Sequence, residues 1–463
     1  MGSLPHPHTP QLASIRADGG RLPIHPLEVR GVFIRARRVV FAVLLAIYIV
    51  APLLSIGGHP SIQLDVSARR FYLFGSTFNA QDFWMVVLLA MGFVFSLLLV
   101  TAWRGRLWCG WACPQTVFLE ALYRPIERLF DGPRERRLKQ AKEGFRLRRL
   151  PRELGKHAGY LAVSVGLAHV ASALFVSVNE LAGMIADGPA QHPVAFLWTT
   201  SFTLILYLNF AWFREQFCVV LCPYGRLQSV LQDRRTVSVA YDVARGEPRG
   251  KAQKAGTVAP KIGDCVDCKK CVMACPTAID IREGMQMECL ACMQCADACD
   301  EVMGKLKRPS GLIRYASLAE LAGQPRAVLR PRLGIYAALV TVCFGGLAFA
   351  LSVRSSFEAN VLRLAGVPFV IENGTVRNQV QVHLVNKAST PVSFELSVEG
   401  PEGMEVHLAQ SKVTLPSLEG VHVPLAVVLP RERAKRAEVK LRVHNLADGT
   451  ERVLAVPFLA PPN

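Results

Sequence analysis

Five runs of apolar residues govern what this chain can become. They lie at about 39–56, 83–103, 158–178, 194–213 and 333–353. Each is close to the roughly 20 residues a helix needs to cross a bilayer. Backbone polar groups find no water in hydrocarbon, so such a run crosses as a helix, which bonds its own backbone. Hydrophobic residues make up 51% of the 463, as expected for a membrane class. The first run follows 38 polar and basic residues. That start is too long for a cleaved signal peptide and reads as part of a retained anchor.

The net charge of +17 would suggest a nucleic-acid partner in a soluble chain. Here the basic residues cluster beside the apolar runs, as they do in cytoplasmic loops. Residues 104–156 hold fourteen Lys and Arg against six Asp and Glu, and Arg30, Arg35, Arg37 and Arg38 abut the first run. Loop 57–82 has only Arg69 and Arg70, and loop 179–193 has neither Lys nor Arg. The asymmetry predicts cytoplasmic placement for the N-terminus, 104–156 and 214–332, and no nucleic acid. Five crossings then leave residues 354–463 outside, in the periplasm of a Gram-negative cell, with the chain in the inner membrane. That tail contains no cysteine, and "GTVRNQVQVHLVNK" and "PVSFELSVEG" alternate apolar and polar residues, as half-buried strands do. Seven or eight short strands predict an immunoglobulin-like sandwich with a docking or structural role.

Thirteen cysteines are spread unevenly. None precedes 109 or follows 343, and eight fall within 265–299. A secreted disulfide scaffold would space them more evenly. "CVDCKKCVMACP" and "CLACMQCADACD" are both C-x2-C-x2-C-x3-C, the run of bacterial two-cluster ferredoxins, in which the fourth Cys of each set serves the other cluster. One 4Fe-4S cluster would use Cys265, Cys268, Cys271 and Cys299. The other would use Cys289, Cys292, Cys295 and Cys275. Zinc sites use paired C-x2-C ligands, four per metal, and fit two matched four-cysteine runs less well. Pro276 follows the first run, and Asp300 replaces proline after the second.

A second cysteine pattern occurs twice. "WCGWACP" places Cys109 and Cys113 after the second apolar run, and "FCVVLCP" places Cys218 and Cys222 after the fourth. The order span, span, CxxxCP therefore repeats, which predicts an internal two-fold with the motifs facing each other. Proline disfavours helix at the residue before it and suits the first position of a new helix. Cys113 and Cys222 are thus expected to cap helices whose N-terminal field favours thiolate. Four such sulfurs could hold Cu(I), close a bridge between motifs, or bind a further cluster.

Other side chains carry weaker expectations. His157 and His169, at the start of and within the third run, could meet quinone or haem or be hydrogen-bonded structural residues. Met285, Met287 and Met293 suit copper less well than core packing. Cys343 reads as packing, and "HPH" at 6–8 as a weak metal candidate. No nucleotide-binding Gly-rich loop, Walker motif or flavin fingerprint is present.

The stretches "GRLWCGWACPQTVFLE", "REQFCVVLCPYGRLQS", "YDVARGEPRG", the eight-cysteine block and "CDEVMGKLKRPSGLIRYAS" resemble the CcoG, FixG and RdxA family of cytochrome c oxidase accessory proteins. The membrane half is also similar to the quinol-oxidising NapH and NosR proteins. The first resemblance implies a role in assembling cbb-type oxidase by reducing Cu(II) to Cu(I). It also implies two 4Fe-4S clusters, copper as substrate or transient ligand, copper chaperones and assembly factors as partners, and a homodimer. The electron donor is left open, with quinol one candidate.

The expected architecture is an α-helical membrane protein with five transmembrane helices. A segment 1–38 precedes a four-helix membrane region at 39–241. A basic linker at 242–263 leads to a cytoplasmic two-cluster ferredoxin domain at 264–305 and a connector at 306–332. A fifth helix at 333–353 leads to the all-β immunoglobulin-like domain at 354–463.

Overall fold

The computed structural model describes residues 24–460 apart from 57–58, 67–68, 80–81, 144–145, 251–262, 326–329, 365, 373, 389 and 435–437. The "HPH" at 6–8 and most of the basic linker fall outside the described residues. The chain divides into two compact units, Met1–Ser55 with Pro60–Val66 and Val86–Gly346, and Ile56–His59 with Ser67–Met85 and Leu347–Asn463.

In the first unit the apolar runs become helices α1 (Val32–Val50), α2 (Phe83–Arg104), α5 (Leu150–Ser172), α6 (Pro193–Leu208) and α10 (Pro331–Ser352). Short helices α3 (Leu107–Trp111) and α4 (Pro114–Phe118) follow α2, and α7 (Pro223–Leu231) follows α6. Among the described residues four stretches are long and apolar enough to cross a membrane: Val32–Leu53, Phe83–Arg104, Pro193–Phe213 and Pro331–Ser352. Four of the five expected runs, not five, therefore meet that standard of length and apolarity on their own. The run at 158–178 does form a helix, but α5 begins at Leu150 and stops at Ser172. Its first turns carry Arg152, Glu153, Lys156 and His157, which dilute its apolar part below what a span of about 20 residues requires.

Where the helix ends meet is informative. Asp297 accepts from the Phe33 and Ile34 backbone N–H groups at 3.2 and 2.8 Å, capping the start of α1. At the end of α2, the Ala102 carbonyl accepts from Thr236 at 3.0 Å and from Arg330, just before α10, at 3.1 Å. At the end of α6, Asn209 donates to Gln115 of α4 at 2.7 Å. The start of α1, the ends of α2 and α6, and the start of α10 therefore share one face of the unit. Helices α5 and α6 run antiparallel, with His157 Nδ1 2.9 Å from Tyr207 Oη and Ser172 3.1 Å from Thr199.

On that face strands β1 (Ser238–Tyr241) and β2 (Ile313–Ala316) pair antiparallel from Ser238–Ala316 to Tyr241–Ile313. They close the base of the cysteine-rich domain, which is therefore wider than the 264–305 expected from its motifs. Its helices α8 (Lys270–Ala274) and α9 (Gln294–Lys305) each begin inside a cysteine motif.

The second unit holds the first residues of α2 and the last of α10, and beyond them its tail is β apart from one short helical turn among the described residues. The strands of that tail are β3 (Phe357–Arg363), β4 (Val370–Glu372), β5 (Thr375–Asn386), β6 (Val392–Glu399), β7 (Glu405–Leu408), β8 (Lys412–Leu415), β9 (Gly420–Pro430), β10 (Val439–Asn445) and β11 (Glu451–Val456). They form two sheets, β7-β9-β5-β3 with β4 beside β5, and β8-β6-β10-β11. Alternate residues of both sheets meet in a core around Phe357, Val382, Leu384, Phe394, Leu425 and Leu441, as in a sandwich. Residues 67–85 belong to this unit as well, an addition to the expected 354–463. Buried Asp82 accepts from Arg354 at 2.7 Å and Lys387 at 3.0 Å, and Arg70 donates to the Leu418 carbonyl at 2.7 Å.

Candidate metal and redox centre

The two cysteine runs of the ferredoxin-like domain fold alike. Asp267 and Lys269 have φ of 52° and 57°, and Ala291 and Met293 have φ of 52° and 62°. These are the second and fourth residues after the first Cys of each run. Left-handed backbone is strained for residues with a Cβ and persists where the surroundings fix it. Here it curls the chain so that three cysteines face inward and a helix starts at the third.

The four cysteines of each expected ligand set line one cavity, and Cys271 lines both. Cys265, Cys268, Cys271 and Cys299 line the first with Tyr241, Leu312 and Ile313. Cys275, Cys289, Cys292 and Cys295 line the second with Val239, Ile279 and Met293. Among the described residues no group of three or more His, Cys, Asp and Glu side chains converges as on a single metal ion. A ring of four cysteines around a chamber instead suits a larger inorganic cluster, whose corners each take one sulfur. Burial pushes the Cys271 thiol up to about 11 and the Cys289 and Cys299 thiols up to about 12. Buried thiols of this kind ionise readily only beside a compensating cation, which iron supplies.

The CxxxCP motifs are also built alike. The Cys113 N–H donates to the Trp108 carbonyl at 2.9 Å, and the Cys222 N–H to the Phe217 carbonyl at 2.8 Å. Each pair therefore straddles a widened turn that skips one residue, and the two cysteines do not share a regular helix. Cys113 (φ −62°, ψ 127°) caps α4 and Cys222 (φ −67°, ψ 112°) caps α7, each followed by proline at the first helical position. The residues after the prolines reach across. Gln115 bonds Asn209, at the end of the helix before the other motif, and Tyr224 lies 2.6 Å from Thr101, near the end of α2. The expected two-fold is thus present in the hydrogen bonds.

Cys109 lies 3.4 Å from the amide nitrogen of fully buried Gln228, on α7. The four thiols are near enough to oppose one another's ionisation. Burial foremost raises Cys109 to about 11, with the Gln228 hydrogen bond partly offsetting it, and burial followed by repulsion from the neighbouring thiols holds Cys218 well above the usual thiol range. Cys113 is raised by burial as well, although the Gln115 and Thr116 backbone N–H groups partly offset it. The expectation that a helix start would favour thiolate at Cys113 is corrected: desolvation outweighs the cap.

The two cysteine systems touch. A Cβ on Gly110, between Cys109 and Cys113, would lie 2.3 Å from the Leu290 carbonyl oxygen and 3.0 Å from the Ala291 carbonyl carbon. Only glycine lets this backbone rest on the loop between Cys289 and Cys292. Trp111 donates to Tyr315 at 3.0 Å, and Tyr315 donates to the Ala291 carbonyl at 2.7 Å. Buried Arg37 donates to the Gly110 carbonyl at 2.9 Å.

Other residues sort more simply. His169 bonds its own helix at Val165, and His157 pairs with Tyr207, so both have structural partners. Met293 is buried, but Met285 and Met287 are 39% and 61% exposed, which corrects the expectation of core packing for those two. Cys343 is buried within α10. The sequence reading missed a buried ionic network. Arg214 (φ 52°) makes a two-pronged pair with Glu127 at 3.2 and 2.8 Å, Arg137 adds a contact at 3.4 Å, and Arg124 joins Glu120 and Glu215. Burial alone would raise the Glu127 carboxyl, but Arg214, Arg137 and Arg124 outweigh it and hold it at about 2. Two Arg and two Glu at "RPIE" and "RE" within 124–127 and 214–215 were the available signal.

Comparison with known proteins bears on these groups. Residues 213–318 match the family model described as a 4Fe-4S dicluster domain. Residues 83–133 match a 4Fe-4S binding domain, and 347–461 match the IG-like fold at the C-terminal of FixG, putative oxidoreductase. The chain is 33% identical to the nitrogen fixation protein FixG of Rhizobium meliloti, over 90% of this chain and 88% of that one. It is 34% identical to Protein RdxA of Cereibacter sphaeroides, over 88% and 87% of the two chains. The chain belongs to the FixG/RdxA family. Protein RdxB of Cereibacter sphaeroides, 34% identical over 93% of this chain and 94% of its own, falls in line with that placement. The chain is an iron–sulfur redox protein of the FixG/RdxA family with apolar membrane-type helices and a C-terminal immunoglobulin-like domain.

Proposed function

We propose that the protein reduces Cu(II) to Cu(I) at the four CxxxCP thiols, and that the product serves copper delivery by chaperones during assembly of cbb-type cytochrome c oxidase. The observation that carries this reading is the packing of Gly110 on Leu290–Ala291. It sets a soft-ligand site directly against the loop that holds the second cysteine-ringed chamber. When bound by the eight cysteines named above, the clusters supply single electrons, the quantity each Cu(II) needs. Cys109, Cys113, Cys218 and Cys222 close on the substrate ion and release their protons to water as it binds, since soft sulfur ligands favour the reduced metal. Gln228 holds Cys109 in place. Replacing Cys109 and Cys113 by Ser should abolish cupric reduction while cluster absorbance is retained. Unchanged reduction would refute the role of that pair.

The helix ends support a bilayer arrangement. The ends of α2 and α6 share a face, so the chain between them crosses an even number of times. The antiparallel pair of α5 and α6 supplies two crossings, with α5 sheltered by its partner rather than by its own apolarity. The positive-inside rule then places the N-terminus and both cysteine systems in the cytoplasm and the sandwich in the periplasm of an inner-membrane protein.

A second reading has its own support. The 4Fe-4S family match at 83–133 contains only Cys109 and Cys113 as cysteines. The four membrane-face thiols would then hold a further iron–sulfur centre in a quinol-fed relay. Iron content separates the two, with about eight irons per chain for copper reduction and more for the relay.

A further inference from the structure

A cavity of about 410 Å³ lies beside α1 in the first unit, within the 300–1,000 Å³ of small-molecule sites. Its long wall is one stripe of α1, through Ile34, Arg37, Phe41, Ala42 and Leu45, which lies within a stretch apolar enough to cross a membrane. Its polar end holds Glu120 and Arg128, and Gln294 closes it.

Arg37 is the informative residue. It is 3% exposed, and two of its three guanidinium nitrogens are engaged. Nε donates to Gly110 O at 2.9 Å, and Nη1 donates at 2.9 Å to Gln294, in the amide orientation that satisfies both neighbours. Nη2 is buried with no partner. Leaving such a donor unsatisfied costs free energy, and its residue lines the cavity. Gln294 is 7% exposed, donates to Ala274 O at 3.0 Å, and precedes Cys295 in sequence. The cavity thus shares a wall with the second cysteine-ringed chamber.

We propose that this cavity binds a membrane quinol and is where electrons enter the protein. The inference rests on the reading of the chain as an electron carrier. The ring sits beside Arg37 and Glu120, where the Arg37 guanidinium turns its unpaired Nη2 toward the cavity to donate to one ring oxygen and the Glu120 carboxylate accepts from the other hydroxyl. The isoprenoid tail lies along Phe41, Ala42 and Leu45 toward the bilayer. The quinol is oxidised to quinone. Its two O–H bonds break, the protons leave by way of Glu120 to water, and the two electrons are taken up one each by the two clusters. A phospholipid headgroup fits less well. Arg37 and Arg38 line the cavity, but so do Glu28 and Glu120, whose carboxylates repel a phosphate; Arg128 is paired with Glu28 at 3.4 Å, and Glu120 with Arg124 at 3.2 Å.

The test uses the full-length purified protein with its clusters. Binding of heptylhydroxyquinoline N-oxide is followed by quenching of its own fluorescence, and cluster bleaching by decylubiquinol is followed by absorbance. Ala121→Trp and Ala42→Trp, which fill the cavity, are each expected to weaken analogue binding by about tenfold or more and to slow bleaching similarly. Reduction by dithionite should stay intact, showing that the clusters are present. Glu120→Gln should bind the analogue but slow bleaching. Unchanged binding in both Trp variants, or no binding to the wild type, overturns the proposal. So does a co-purifying phospholipid that the analogue fails to displace. Quinol reduction that ignores the Trp variants would sink the pocket and leave the electron-carrier reading standing. Binding and bleaching as expected, in a protein inert toward copper, would sink the copper reading alone.

Discussion

Gly110 is where one atom decides whether the two cysteine systems meet. Gly110→Ala would drive a methyl group to 2.3 Å from Leu290 O, so the CxxxCP loop must lift. We expect electron transfer to copper to slow by about tenfold or more with both clusters intact by EPR. Gly166→Ala on α5 has open space within 4 Å and should leave the rate unchanged. Glu127 governs a different property. Glu127→Gln leaves buried guanidinium groups underpaired and should cost about 3–5 kcal/mol. The carboxyl is held at about 2 against an ordinary 4.5, so its stabilising contribution is complete above about 4.5. It is lost as pH falls through about 2. Unfolding of wild type and variant in detergent should therefore converge over that interval; a gap that persists to low pH would contradict this account. Residues with fixed spacing left the plainest pattern in the sequence: the cysteines of each C-x2-C-x2-C-x3-C assignment line a common cavity, with Cys271 shared between the two. Asp300, an oddity in that pattern, proves structural, accepting from the Gly311 N–H at 2.8 Å. The Arg214–Glu127 pair was not legible, because residues 87 positions apart leave no local pattern.

At the scale of elements, periodicity decided what could be read. The alternating tail runs became β5 and β6 because one face of each is buried against the other sheet. The third apolar run was harder. It forms α5, but Lys156 bonds Asp131 at 3.0 Å and Tyr123 lies 2.8 Å from Ser164, so part of its polar surface is satisfied by neighbouring helices. Hydropathy sees the polar side chains and not their partners. Reporter fusions test the crossing. An alkaline phosphatase fusion after residue 190 should be active and one after residue 235 inactive. The reverse, or equal activity, would contradict the paired crossing of α5 and α6.

The whole molecule consists of two units, and they can be perturbed separately. Asp82, 3% exposed, ties 67–85 to the sandwich through Arg354 and Lys387. Asp82→Ala should destabilise the second unit by about 3–5 kcal/mol and leave iron content and cluster EPR unchanged. Loss of iron in that variant would show that the two units fold as one. No local pattern announced this tie, because loop and tail are far apart in sequence and short of strand-length alternation in the loop.

The central claim is that four membrane-face thiols hand single electrons from an iron–sulfur relay to copper. Metal analysis and EPR of the purified protein test it most directly, before and after one equivalent of Cu(II), in the wild type and in the variant with Cys109, Cys113, Cys218 and Cys222 all replaced by Ser. The account predicts about eight irons per chain in both. It also predicts loss of the Cu(II) signal in the reduced wild type with matching reoxidation of the clusters, and a persistent Cu(II) signal in the variant. Iron that falls with the four cysteines, or a Cu(II) signal lost equally in both proteins, would contradict it.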